Sequence, residues 1–206
     1  MQPILIESHY AGNCSYWNLL LKSKEIYIDK HEHYVRRSYR NRTHILGANG
    51  LLRLSIPLES GKSQHAAMKD VRISYNERWQ ELHWHSMVSA YSRSPYFDYY
   101  EDHLKKFYEQ KFELLIDFNF QFMQTIASIL KVDLSVKFTE KYFSKDEFFG
   151  TDYRSFFLPN KKSELNFSSY PQVFSDRFPF EEDLSILDVL FNKGTTSVEY
   201  LSKLSI

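Results

Sequence analysis

The chain has 206 residues, enough for one self-supporting core, and its 26 lysines and arginines balance 26 aspartates and glutamates. That balance excludes a global field favouring nucleic acid or an anionic membrane, so charge-driven binding has to be local. The lone Cys14 excludes an internal disulfide, and neither a basic leader with a long apolar stretch nor an unbroken apolar run of spanning length occurs, so a cytoplasmic protein without membrane insertion is expected.

Taken in chain order, PILIES (3–8) is an apolar run suited to a buried strand, and HYAGNCS after it is a loop with Gly12 and Asn13 as turn formers. Ser15 can cap a helix over YWNLLLKS, and EIYID (25–29) reads as a second strand, which completes a βαβ unit with a parallel pair. Ligands usually bind where loops leave the carboxyl ends of such strands, which puts His9 and Tyr10 at a site mouth. HYVRRSYRNRTHIL is too charged for a sheet interior and reads as loop or partly exposed strand. It leads through the turn 48–50 into the strand LLRLSIPL. ESGKSQHAA (59–67) is a polar surface loop and DVRISY (70–75) a short strand.

Helical spacing begins near residue 76, with Trp79, His83, Met87 and Tyr91 on one face, and SRSPYFD ends it. Helices over 97–108 and 111–130 follow, the latter with an apolar stripe from Phe112 to Leu130, then the strand VDLSVKF (132–138). Residues 140–180 lack periodicity and read as mostly irregular and lid-like. DLSILDVLFNKG is a short helix with Ser185 and Asp188 as a capping pair, and SVEYLSKL a terminal helix. The expected architecture is a single α/β domain over 1–206: a small, mostly parallel, Rossmann-like sheet flanked by helices, with a helical C-terminal half. Residues 1–75 are mainly strands with one helix, 76–130 are helical, and 131–206 hold a strand, an irregular segment and terminal helices.

The densest chemistry lies in HEHYVRRSYRNRTHI (31–45), with four arginines and three histidines. If residues 36–44 are extended, Arg36, Ser38, Arg40, Arg42 and His44 point one way, where guanidinium forks could hold a phosphate or carboxylate. A charge-blunted edge strand is the plainer alternative. Nucleic acid is disfavoured by the neutral balance and by the lack of a recognition motif. His31 and His33 could chelate from a strand, but no third ligand stands at suitable spacing, so no metal is assigned. For acid or base work His9, Glu32 and His83 are the candidates. Asp117 and Asn119 sit among apolar residues, and a helix-to-loop tie is the expected use. No phosphate-cradling glycine motif and no nucleophile elbow occurs.

EIYIDKHEHYVRRSYRNRTHILGANGLLRLSIPL, KDVRISYNERWQELHWHSMVSAYSRSPYFDYYED, YPQVF and DLSILDVLFNKG together resemble the WbqC-like protein family. Matching positions are His9, Tyr10, Glu32, Tyr34, Tyr39, Arg40, Asn41, Arg42, Trp79, His83, Tyr91, Pro95, Phe97, Tyr170, Gln172 and Asp188. The chain departs from the family pattern at HYAGNCS, where a proline-containing loop is usual, and at RFPFEEDLS, where a glycine-rich segment is usual.

The resemblance implies surface polysaccharide biosynthesis of the O-antigen type, with a glycine or aminoacyl transferase role suggested for the family; the expected activity is addition of an amino acid or acyl group to a nucleotide-linked amino sugar. It brings no established catalytic residues and names no cofactor. The expected site has His83, His9 and Glu32 as catalytic groups. Tyr10, Tyr34, Tyr39, Arg40, Asn41, Arg42, Trp79, Tyr91, Tyr170 and Gln172 bind a small anionic substrate such as a nucleotide sugar. The alternative is a non-catalytic binding or scaffold protein of a polysaccharide assembly complex.

Overall fold

Two three-residue apolar runs organise the sheet. β1 (Ile4–Ile6) and β2 (Ile26–Ile28) pair in parallel, Ile4 opposite Ile26 and Ile6 opposite Ile28. β1 is buried throughout, as expected of a strand covered on both faces. The crossover between them is α1 (Cys14–Lys22), which seats Tyr16, Trp17 and Leu20 in the core. Its cap is Asn13 rather than Ser15: Asn13 is extended and its side chain accepts from the Tyr16 amide at 3.0 Å. This computed structural model describes residues 2–59, 66–144 and 146–205; most of the loop expected at 59–67 lies outside them.

After β2 the chain leaves the sheet for more than a hundred residues. Residues 34–41 are a turning loop, not a strand, with Arg37 at φ 58°. β3 (Arg42–Gly47) and β4 (Gly50–Ser55) then form a separate antiparallel hairpin. The strand expected at 70–75 is replaced by a 3-10 turn, Met68–Asp70, and single bridges from Ile73 to Leu58 and from Arg72 to Leu114.

Three helices follow: α2 (Trp79–Tyr91), α3 (Phe97–Glu109) and α4 (Leu115–Ile129). The last begins four residues later than its apolar pattern suggests, because the Glu113 carbonyl is taken by the Ile73 amide. α4 buries Leu115, Phe118, Phe122 and Ile126. Its phenylalanines pack edge-on against Phe107, at ring separations of 5.7 and 5.0 Å. Each such ring contributes on the order of 2 kcal/mol by burial. Asn119 on the same buried face ties the helix to the loop by donating to the Arg40 carbonyl at 2.8 Å, whereas Asp117 is exposed.

The chain returns with β5 (Val136–Phe138) beside β2 and β6 (Thr151–Asp152) beside β1, giving the order β5-β2-β1-β6 with every neighbour parallel. β6 carries no sequence signal, since it is two polar residues held by pairing with β1. It runs so close that a Cβ on Gly150 would strike the Pro3 carbonyl. α5 (Ile186–Lys193), capped by Ser185, and α6 (Ser197–Lys203) close the structure against α1. The whole is mixed α/β, a parallel sheet flanked by helices with a helical C-terminal part. No helix among the described residues is long and apolar enough to cross a membrane.

Candidate functional site

Because all four strands are parallel, their carboxyl ends share one edge, and the residues that leave them meet there. Glu7 and His9 follow β1, Asp29 and Glu32 follow β2, Thr139 follows β5, and Arg154 and Ser155 follow β6. Asp29 is fully buried and organises this edge. One carboxylate oxygen accepts from the His31 and Glu32 amides at 2.9 and 3.1 Å and from Thr139 Oγ1 at 3.0 Å, and the other takes Arg154 Nη1 at 2.6 Å. Arg154 also forks onto Asp152.

Glu32, set in place by this turn, receives the Arg40 fork: Nε to Oε1 at 2.8 Å and Nη2 to Oε2 at 2.6 Å. Glu7 accepts the Ser155 amide on Oε2 at 3.0 Å and His9 Nε2 on Oε1 at 3.1 Å. An acceptor-only carboxylate on Nε2 makes that nitrogen the protonated one, so Nδ1 of neutral His9 carries the free lone pair. Nδ1 is buried and has no hydrogen-bond partner among the described residues. The imidazole stacks on Tyr16 at 4.2 Å, with Tyr39 tilted against it at 5.5 Å and Phe157 edge-on at 6.3 Å.

Charge is crowded here. Burial lowers the His9 pKa and outweighs the pull of Glu7, so the ring is neutral near pH 7. For Glu7, burial is overcome by the His9 bond and the Arg40 charge, and its carboxyl lies below the usual range. Glu32 goes the other way: burial, reinforced by the Glu7 and Asp29 carboxylates, outweighs Arg40 and pushes it up to about 7. Arg40 is shared among more negative charge than it can neutralise.

The sequence-predicted residues fall into three groups. His9, Glu32, Arg40, Tyr39, Tyr34 and Asn41 belong to the strand-end edge or its loop; Tyr34 Oη donates to Asn41 Oδ1 at 2.9 Å and Asn41 Nδ2 to the Ile56 carbonyl at 2.8 Å. Tyr10, Trp79 and His83 form a second, interior group: Tyr10 Oη is hydrogen-bonded to His83 Nδ1 at 3.1 Å and to Tyr108 Oη at 2.7 Å. Burial drives the His83 pKa down to about 4. Tyr91, Tyr170 and Gln172 converge on buried Asp188, at 3.2, 2.7 and 3.1 Å. Asp188 is therefore an interior acceptor and not the reciprocal half of a capping box, its side chain turned away from the Ser185 amide, which bonds the His44 carbonyl.

Arg42 lies on the hairpin, apart from Arg40; the extended alternation that would have aligned them is broken by the turn and bend over residues 39–41. Glu7, Asp29, Arg154 and Ser155 were not singled out from sequence. The first two could have been, since each is a carboxylate placed directly after a buried parallel strand.

A cavity of about 220 Å³ opens over the start of α1, lined by Asn13, Ser15, Phe156, Phe157, Lys161 and Asp183 among others. A second, of about 490 Å³, is lined by Tyr39, His44, Leu51 and Glu182 and shares Lys161, Lys162, Ser163 and Asp183 with the first. His9 thus sits one ring behind both, screened by Phe157 from one and by Tyr39 from the other. Asp183 caps α1, accepting from the Ser15 amide at 2.8 Å and Asn13 Nδ2 at 2.7 Å, and burial raises its pKa to about 7. Among the described residues no group of three or more histidine, cysteine or carboxylate side chains is arranged to hold a metal.

Fold and edge together define a parallel α/β protein whose buried polar network lies at the carboxyl ends of its strands. The WbqC-like protein family model matches residues 7–148, more than half of the chain and the stretch holding most of that network, so the chain belongs to this family. It is also 24% identical over 225 residues to Uncharacterized protein Rv1507c of Mycobacterium tuberculosis (strain ATCC 25618 / H37Rv), with 96% of each chain covered. No solved structure matches.

Proposed function

We propose that this chain is a transferase of surface polysaccharide assembly that moves an acyl or aminoacyl group onto the amine of a nucleotide-linked amino sugar, with His9 as the base. One observation carries the reading: His9 is held in a single tautomer by buried Glu7, while its other ring nitrogen is buried without a partner among the described residues. In this reaction the sugar nitrogen attacks the donor carbonyl and a C–N bond forms. The bond from that carbon to the leaving group breaks, and the amine proton passes to His9 Nδ1 and on to the leaving group. Glu7 stabilises the transient imidazolium, as in other oriented histidine–carboxylate pairs. Arg40 acts behind the pair, its charge keeping Glu7 ionised while Glu32 holds its guanidinium in place, and Phe157 and Tyr39, which screen the base, swing aside to admit the amine.

His9 serves better than His83, whose Nδ1 is engaged by Tyr10 and whose low pKa weakens it as a base near neutrality. The test is assay of the wild type and His9→Asn against a panel of nucleotide amino sugars with acyl and aminoacyl donors. Loss of a general base should lower kcat by about 10²–10⁴-fold with an unchanged circular dichroism spectrum. Turnover of the variant within a few-fold of wild type overturns the assignment.

A further inference from the structure

The β3–β4 hairpin gathers a second set of cations. In its register Arg42 lies opposite Ser55 and His44 opposite Arg53, so Arg42, His44 and Arg53 share one face with the two arginines on a diagonal. Arg37, at the corner of the preceding loop, is near enough for its charge to act on Arg42. Like charges at this spacing repel, and the ordinary remedy is an acidic neighbour. Here, among the described residues, none of Arg37, Arg42 and Arg53 forms an ion pair, whereas Arg40, Arg72, Arg78, Arg154 and Arg177 all do. Arg42 Nε is buried with no acceptor among the described residues. The face is also joined to the candidate site: Tyr39 stands edge-on to His44 at 5.5 Å and reaches His9 at the same distance, and Tyr39 and His44 line the 490 Å³ cavity.

We propose that Arg37, Arg42 and Arg53, with His44 beside them, form a site for a diphosphate group. Three guanidinium groups over-neutralise a single carboxylate, whereas a diphosphate offers two or three negative charges and several oxygens that match arginine forks. The site deepens the transferase reading and rests on it for what the diphosphate carries, a sugar. The same chemistry is offered by a soluble nucleoside diphosphate and by a polyprenyl diphosphate in a membrane.

The experiment is calorimetric titration of the full chain with inorganic pyrophosphate, acetate and UDP, alongside flotation with phosphatidylcholine vesicles with or without a polyprenyl diphosphate. The wild type should bind pyrophosphate and not acetate. Arg42→Gln/Arg53→Gln should weaken that binding on the order of tenfold or more, as should exposed Arg53→Gln alone to a lesser degree, while Arg78→Gln stays within about twofold. UDP binding tighter than pyrophosphate identifies a nucleotide as the source; flotation only with the polyprenyl diphosphate, lost in the double variant, identifies the lipid. Absence of pyrophosphate binding, or a double variant that binds like wild type, overturns the proposal. His9→Asn should bind pyrophosphate normally. If that variant still turns over while the arginine variants lose the anion, the base assignment fails and the diphosphate site stands.

Discussion

Arg40→Met removes a buried positive charge while keeping most of its bulk, and so isolates what the guanidinium does at the strand ends. The Arg40 side chain is fully buried and that of Glu32 is 7% exposed, with the two joined by two short bonds. Deleting one partner of such a pair strands the other, at a cost of about 3–5 kcal/mol. Here Glu32 loses its counter-charge outright and Glu7 loses a neighbour that holds it ionised. Glu32→Leu should cost less, because Arg40 retains Glu7 nearby. Arg40→Met/Glu32→Leu should recover most of the loss, to within about 2 kcal/mol of wild type, since Glu32 is no longer stranded and Glu7 keeps its His9 and Ser155 donors.

The pH dependence has a definite sign. The folded-state pKa of Glu32 is already raised from 4.5 to about 7, so its penalty is complete above that value and relieved as pH falls towards 4.5. Arg40→Met raises it further, so the variant should lose more stability relative to wild type at about pH 8 than at about pH 5. Urea unfolding followed by circular dichroism measures all four proteins. A cost for Arg40→Met below about 1 kcal/mol at the higher pH, or a double variant no more stable than the single, would refute the reasoning.

Two further predictions concern parts of the interior away from that edge. His83 has its pKa depressed from 6.5 to about 4, so it stabilises fully above 6.5 and this is lost as pH falls through 4, by up to about 3 kcal/mol. Glu32 and Asp183 slope oppositely in part of that window, so the readout is the difference between wild type and His83→Asn: the gap should narrow on acidification, and a constant gap counts against a neutral buried ring. At the end of α5, Gly194 has φ 54° and a Cβ there would run into the Tyr96 ring. Gly194→Ala should therefore lower stability by about 1–3 kcal/mol in the same urea assay, and a neutral result would mean that Tyr96 can move aside.

What could be read in advance divides by how local its cause is. The runs ILI and IYI, each punctuated by turn formers and separated by a helix-length segment, specify β1, α1 and β2 from their own composition, and Asn119 in an apolar stripe announces a tie to the loop. β6 could not be read, because Thr151 and Asp152 are a strand only through pairing with Ile4 and Leu5, almost 150 positions away. Arginine counting likewise finds the basic loop but not its division of labour. Arg40 turns inward because Glu32 has been fixed by the Asp29 turn, while Arg42, two residues on, starts a hairpin and keeps other company.

Tyr91, Tyr170 and Gln172 show the same limit, since the acceptor that unites them, Asp188, reads locally as a cap. The strand-end rule is the stronger guide. A carboxylate placed immediately after a largely buried parallel strand has little water to solvate it, so it must find donors from other strand ends or cost the fold several kcal/mol. Glu7 and Asp29 both occupy that position, and each found them: Glu7 in His9 and Ser155, Asp29 in Thr139, Arg154 and its own turn. The two differ in one respect that bears on chemistry. Every partner of Asp29 is a structural donor, whereas Glu7 orients a histidine whose remaining lone pair has no partner among the described residues.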